Sequence, residues 1–455
     1  ASDVLGIRPD RIDSAAAATV KGSLRMVDLL KALVREPLMD PGNCRFVRVT
    51  IKGEALSLDE VELNRIREQI LIHNKLNNAR PLAEQQVISA LARKLSTDVD
   101  VDPDQVPEMI ADHASFQLFM NSWWPKLSPT QVLARLADRQ LVDRLAPQFD
   151  ADERQALADS YQWVGKETAE PTGWSVADTA LLDELLAMLG PLPKEVEEEP
   201  IFLDTGDISE IITTADLLSQ TKEHDPDDDG VITYAHLLID ESQDVTPMQW
   251  RMLRRRGPHA SWTIVGDQAQ SSYPNQEETS RALRDLCGKS ELREFKLSTN
   301  YRSPKEVFDL AAKIIAQVLP DADLPKAVRE TGQQPVLATS SKQNWRTDLS
   351  QYIFELADQV EGSIGVVCPP SLFQQVKQLT DDESFADLAS RLAVVTVLES
   401  KGMEYDGVLV VSPDDIVAET QGGERVLYVA LTRATQQLIT LDITAGTDPV
   451  WSAKL

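Results

Sequence analysis

Basic residues are scarce in this chain. Its 45 lysines and arginines stand against 73 aspartates and glutamates, a formal net charge of −28 over 455 residues with a pI near 4.6. That balance argues against a surface that holds nucleic acid mainly through its phosphates, which needs a basic patch. The densest local exception, Arg251, Arg254, Arg255 and Arg256, reads as a solvated helix face. Cysteine is equally sparse. Cys44, Cys287 and Cys368 are too few and too scattered for a disulfide framework or a zinc site, and they point to a reducing compartment, the cytoplasm. No run of about 18 apolar residues occurs and no basic-then-apolar leader opens the chain, so membrane spanning and secretion are not expected. Also missing is any Gly-x-x-x-x-Gly-Lys-Ser/Thr loop to cradle phosphate.

Apolar residues make up 42% of the chain, which at this length supports two or three domains with real cores. Residues 15–36 predict a helix with Leu24, Val27, Leu30 and Val34 on one face and Pro37 as its stop. Val47, Val49 and Ile51 alternate as in a strand. Ser57 and Glu60 predict a capping box that starts a helix at Leu58. Further helices are expected at about 81–95, 128–145, 151–164 with Asp150 as N-cap, and 171–189. Trp123 and Trp124 read as buried packing, because only Lys126 offers a nearby positive charge for base stacking. The acidic runs 98–104 and 225–230 fail as calcium loops at their sixth or twelfth places. Residues 194–216, rich in acids around Ile201, Phe202 and Leu203, predict a long exposed loop.

The organising stretch is Leu237-Leu238-Ile239-Asp240-Glu241-Ser242-Gln243-Asp244. A short apolar run ending in two acids is the pattern of a buried parallel strand, and ligand chemistry in parallel sheets sits beyond the carboxyl ends of strands. There Asp240 is placed to hold Mg²⁺ and Glu241 to orient or deprotonate an attacking water. Four more motifs follow in order: Val265-Gly266-Asp267-Gln268, Asn300-Tyr301-Arg302-Ser303, Glu399-Ser400-Lys401-Gly402-Met403-Glu404 and Tyr428-Val429-Ala430-Leu431-Thr432-Arg433-Ala434. Past Pro304, strands at 336–338, 364–368, 394–398, 408–411 and 438–441 alternate with helical stretches and predict a second parallel sheet.

Together these five motifs resemble the motor core of superfamily 1 helicases of the UvrD/Rep/PcrA type over roughly residues 231–445. The resemblance implies an α/β fold of two RecA-like parallel-sheet lobes preceded by a mostly α-helical insertion domain. The boundaries would be 1–165 for the insertion, 166–303 for the rest of the first lobe and 304–455 for the second lobe. It also implies an ATPase using ATP or GTP with Mg²⁺. In that scheme Gln268 reaches the attacking water or γ-phosphate, Tyr301 stacks adenine, Arg302 and Arg433 are guanidinium forks for phosphate from opposite lobes, Gly402 lets backbone approach phosphate, and Glu404 reaches the ribose. Without the phosphate loop the chain alone is expected to be inactive, the loop lying upstream in a longer protein. Leu398 stands where the DNA helicases have a motif V histidine, and Pro274-Asn275 replaces their base-stacking ring. Both departures weaken a nucleic-acid track.

Within that group the chain is similar to the HelD family, bacterial ATPases that bind RNA polymerase and help release or recycle it. The similarity rests on Leu238 to Gln249, on Leu398 and on the acidic stretch before Asp240. It implies a cytoplasmic monomer whose partner is core RNA polymerase, with nucleic acid a weak second partner and no membrane. Residues 1–165 would then enter the main DNA channel, with Asp204 and Asp207 at the tip of a deep-reaching acidic loop that displaces DNA by mimicry. The alternative implied by the wider resemblance is a UvrD/Rep-type 3'-5' DNA helicase or translocase.

Overall fold

The computed structural model describes residues 6–39, 45–96, 101–163, 173–192, 232–267, 270–271, 273, 275–288, 291–320, 322–420, 422–444 and 449–452. The acidic stretch 194–216 with Asp204 and Asp207, residues 98–100 and 225–230 of the other acidic runs, and Gln268 lie outside them. The chain divides into two compact units, Ala1–Ala235 with Pro247–Ala260, and His236–Thr246 with Ser261–Leu455.

The first unit is mostly helical, and its helix ends are set by local chemistry. The helix expected over 15–36 is two helices, Ala15–Gly22 and Arg25–Met39, and Pro37 sits inside the second rather than stopping it. Val47–Ile51 forms the predicted strand β1, buried at every second residue. Its partner β2, Glu54–Leu58, pairs antiparallel with it and takes the residues expected to begin a helix. The hairpin buries Leu56 and Leu58, so the capping box moves two residues on, to Asp59 and Glu62 at the head of the Glu60–Leu71 helix. Asp150 caps Ala151–Asp159 as expected, with Glu153 completing the box. Trp123 and Trp124 are buried, as their sequence context implies.

Two buried ionic clusters tie this unit together. Lys21, with no exposed surface, lies 2.9 Å from Asp13 and 2.8 Å from Asp178 and sits over the Tyr161 ring, whose hydroxyl donates to Asp178 at 2.6 Å. Burial and the Asp178 charge push the Tyr161 hydroxyl's pKa well up, so it stays a donor. The second cluster corrects in part the reading of Arg251–Arg256 as a solvated face, for Arg251 and Arg254 are exposed but Arg255 and Arg256 are not. In the Pro247–Arg256 helix, Arg251 and Arg255 hold Glu184 at 2.7 and 2.6 Å, and Arg256 holds Asp183 at 2.9 Å, both acids being buried in the Val176–Leu189 helix. Buried acids require such partners.

The second unit is α/β. Its main sheet has the order β7-β11-β10-β8-β9, formed by Val336–Ser341, Ala434–Thr444, Tyr405–Val411, Ile364–Cys368 and Leu392–Thr396, and every pairing is parallel. This is the second parallel sheet read from the sequence. Alternate residues feed cores on opposite faces. Val408 and Val410 meet Phe308, Ile315 and Tyr428, while Leu409 and Val411 meet Leu349, Ile353 and Leu356. Two smaller parallel pairs complete the unit: β3, His236–Ile239, with β4, Ser261–Ile264, and β5, Thr299–Pro304, with β6, Lys326–Arg329. The β3 strand is parallel as expected but not fully buried. Only Leu237 is buried and Leu238 is 69% exposed, because among the described residues β4 is its sole hydrogen-bonded neighbour.

Candidate active site

Beyond the carboxyl end of β3 the chain turns sharply. Asp240 accepts the Glu241 backbone N–H at 2.9 Å, and Glu241 adopts a left-handed conformation, φ 51°, which is uncommon for a residue with a side chain. A short 3₁₀ turn, Ser242–Asp244, follows. The strand β4 delivers its own loop to the same place, since Ser242 N–H donates to Val265 O at 2.9 Å and Asp267 N–H to Gln243 Oε1 at 3.0 Å. Gly266 is what permits this approach. A Cβ there would collide with Ser242 Oγ and lie 2.7 Å from Gln243 Oε1.

The other motifs converge within the same unit. Arg433, 3% exposed, donates from Nε to Val429 O at 3.0 Å, from Nη1 to Met403 O at 3.2 Å and from Nη2 to Gln270 Oε1 at 3.2 Å. Gln270 in turn donates to Asp267 Oδ2 at 2.9 Å. Arg302 pairs with Glu404 at 2.9 Å and also reaches Met403 O, at 3.4 Å. The Asn300 side chain accepts from the backbone of Arg302 and Ser303, a turn that presents the guanidinium. Gly402, φ 72°, makes the bend that carries Met403 O between the two arginines. Lys401 pairs with Asp244 at 2.5 Å. Burial, and then the neighbouring Arg302 charge, lower the Arg433 pKa from its usual value, while Glu241 and Glu404 pull it back up. Two cations thus meet at the Met403 carbonyl in the company of acids, an arrangement suited to a multiply charged anion.

Of the residues singled out in the sequence, Glu241, Arg302 and Glu404 lie near enough to Arg433 for their charges to act on it, Gly402 precedes the Met403 carbonyl that both arginines reach, and Asp240 holds the backbone N–H of Glu241. Tyr301 is on β5 beside Arg302 and is 75% exposed. The amide found in contact with Arg433 is Gln270, two residues past the sequence candidate Gln268. Sequence reading missed it, along with Gln243, because both stand among other polar residues with no pattern to mark them.

Comparison with known families decides the affiliation. Residues 52–278 match the UvrD/REP helicase N-terminal domain, and residues 391–441 match the UvrD-like helicase C-terminal domain. The chain is UvrD-like. Two of its curated relatives, both named ATP-dependent DNA helicase UvrD2, come from Mycobacterium bovis and Mycobacterium tuberculosis. Each is 26% identical over 208 residues, 44% of this chain and 29% of the relative. The matched part is therefore under a third of the length of those proteins. A solved structure, the C-terminal domain of a possible DNA helicase from Lactobacillus plantarum WCFS1, overlaps 34% of this UvrD-like chain and 94% of its own at 15% identity and a TM-score of 0.25. No described helix is long and apolar enough to cross a membrane.

Proposed function

We propose that this UvrD-like chain is part of an ATP-hydrolysing factor that binds RNA polymerase, displaces nucleic acid and releases or recycles the enzyme. The observation that supports the hydrolytic half is the convergence of Glu241, Gln270, Arg302, Arg433 and Glu404 on one cleft beyond β3. The donor set suits ATP with Mg²⁺. Among the described residues no three His, Cys, Asp or Glu side chains cluster as a protein-built metal cage, and Mg²⁺ carried by phosphates needs only one or two carboxylates. Asp240 would be that ligand. ATP supplies the phosphoanhydride when bound. Glu241 orients water, the two guanidinium groups hold phosphate oxygens, Glu404 takes the ribose and Tyr301 offers a ring to the base. The sequence has no complete Gly-x-x-x-x-Gly-Lys-Ser/Thr loop, and ATP turnover by the chain alone is expected to be nil.

The polymerase half is supported by a net charge of −28, by Leu398 in the histidine's place, 55% exposed, and by the acids of 194–216. A negative segment is drawn to a positively charged nucleic-acid channel as DNA is. The complete protein should co-purify with core RNA polymerase and speed release of bound DNA. Asp204→Asn with Asp207→Asn should keep polymerase binding and weaken release, whereas unimpaired release would remove the mimicry. The 26% identity to UvrD2 favours a second reading, a DNA helicase or translocase. Tight, salt-sensitive DNA binding without polymerase binding would support it over the first.

A further inference from the structure

We infer that Gln243 is a positioning residue that sets the Glu241 carboxylate and couples it to Arg433. The inference rests on the hydrolytic reading of Glu241. Gln243 is 6% exposed, and both ends of its amide are used. Its Nε2 donates to Glu241 Oε2, and its Oε1 accepts the Asp267 N–H at 3.0 Å. Ser271 Oγ holds the Gln243 carbonyl at 3.1 Å. Beyond Asp267 the path continues, for Asp267 Oδ2 accepts from Gln270 Nε2 at 2.9 Å and Gln270 Oε1 accepts from Arg433 Nη2 at 3.2 Å. Glu241 and Arg433 are thus the two ends of one path that runs through the Gln243 amide, across Asp267 from its backbone N–H to its carboxylate, and through the Gln270 amide.

Each link has a fixed polarity. An amide that gives its N–H to a carboxylate has its oxygen left for a donor, so the orientation of Gln243 is dictated by Glu241 on one side and a backbone N–H on the other. Glu241 itself stands in an uncommon left-handed backbone conformation, and the Gln243 amide is the side-chain partner that its carboxylate accepts from. If Arg433 turns Nη2 from Gln270 to a phosphate oxygen, the Gln270 amide loses that donor, and the loss reaches Glu241 through Asp267 and Gln243. Linked polar chains of this kind act as units rather than as sums of pairs.

The test measures ATP turnover and ATP affinity of the complete protein for Gln243→Leu, Gln243→Glu, Arg433→Lys and the Gln243→Leu/Arg433→Lys double variant, with Glu241→Gln alongside. Gln243→Leu should lower kcat about 10-fold or more while ATP affinity changes less than about 2-fold. Gln243→Glu has the same size and still accepts the Asp267 N–H, but it repels Glu241, so it should lose at least as much and serves if the leucine variant melts early. The double variant should be within about 3-fold of the worse single. A wild-type kcat for Gln243→Glu would show that Gln243 only braces the loop, and a double-variant loss equal to the product of the singles would break the coupling. Turnover that survives Glu241→Gln overturns the assignment of Glu241 itself, whatever Gln243 does.

Discussion

Arg433 and Asp442 show what burial asks of a single charged residue. Arg433 stays charged despite its depressed pKa, because guanidinium is protonated far above neutrality, and it is held by three acceptors rather than by an acid at contact distance. A lysine keeps the charge and loses the planar fork. Arg433→Lys and Arg302→Lys should each reduce turnover at least ~10-fold with smaller effects on ATP affinity, as measured by steady-state kinetics of the complete protein. If both are silent, the cleft does not grip phosphate with these groups. Asp442, 3% exposed, is pushed up to about 6 by burial, with Asp414 and Asp415 adding to the shift and the Trp451 indole N–H opposing it. A folded pKa above the ordinary one stabilises fully below pH ~4 and is lost as pH rises through about 6. Asp442→Asn should therefore raise stability at pH 7 by ~1 kcal/mol or more and flatten the pH dependence of the melting temperature between 4 and 7. An unchanged profile would mean that Trp451 satisfies the charge completely.

Among elements, the helix pair Val176–Leu189 and Pro247–Arg256 depends most on charge. Burial pushes the Glu184 carboxyl up, but Arg251 and Arg255 overcome it and hold the pKa below its usual value. A depressed acid contributes stability above its unfolded pKa and loses it as pH falls through the folded one, so this pair weakens on acidification, opposite in sign to Asp442. Arg255→Ala strips a partner from both Asp183 and Glu184 and should cost ~3 kcal/mol or more, read by chemical denaturation. A loss below ~1 kcal/mol would show that Arg251 and Arg256 suffice. These pairs were illegible in the sequence, since four arginines in six residues look the same whether they face water or two acids some 70 residues earlier. Elements set by neighbours in sequence were legible: the alternation of 47–51, the cap at Asp150 and the strands of the main sheet. The Leu58 helix start failed because the β1–β2 hairpin, a pairing between segments, claimed Leu56 and Leu58 first.

At the scale of the molecule, the order of five short motifs was enough to foresee an α/β chain with parallel sheets and a UvrD-like affiliation. Glu241, Arg302 and Arg433 could be named in advance as candidates, because acids and guanidinium groups at these motif positions suit phosphate chemistry. The amides between them could not, because Gln243 and Gln270 acquire meaning only when β3, β4 and the Glu424–Leu431 helix deliver their loops to one place. Hydrolysis at this place, as proposed, depends on Glu241 as the group that orients water. The most direct measurement is ATP turnover and ATP binding by the complete protein carrying Glu241→Gln. Turnover should fall at least ~10²-fold with binding retained, whereas turnover at the unsubstituted rate would mean that Glu241 does not orient the water.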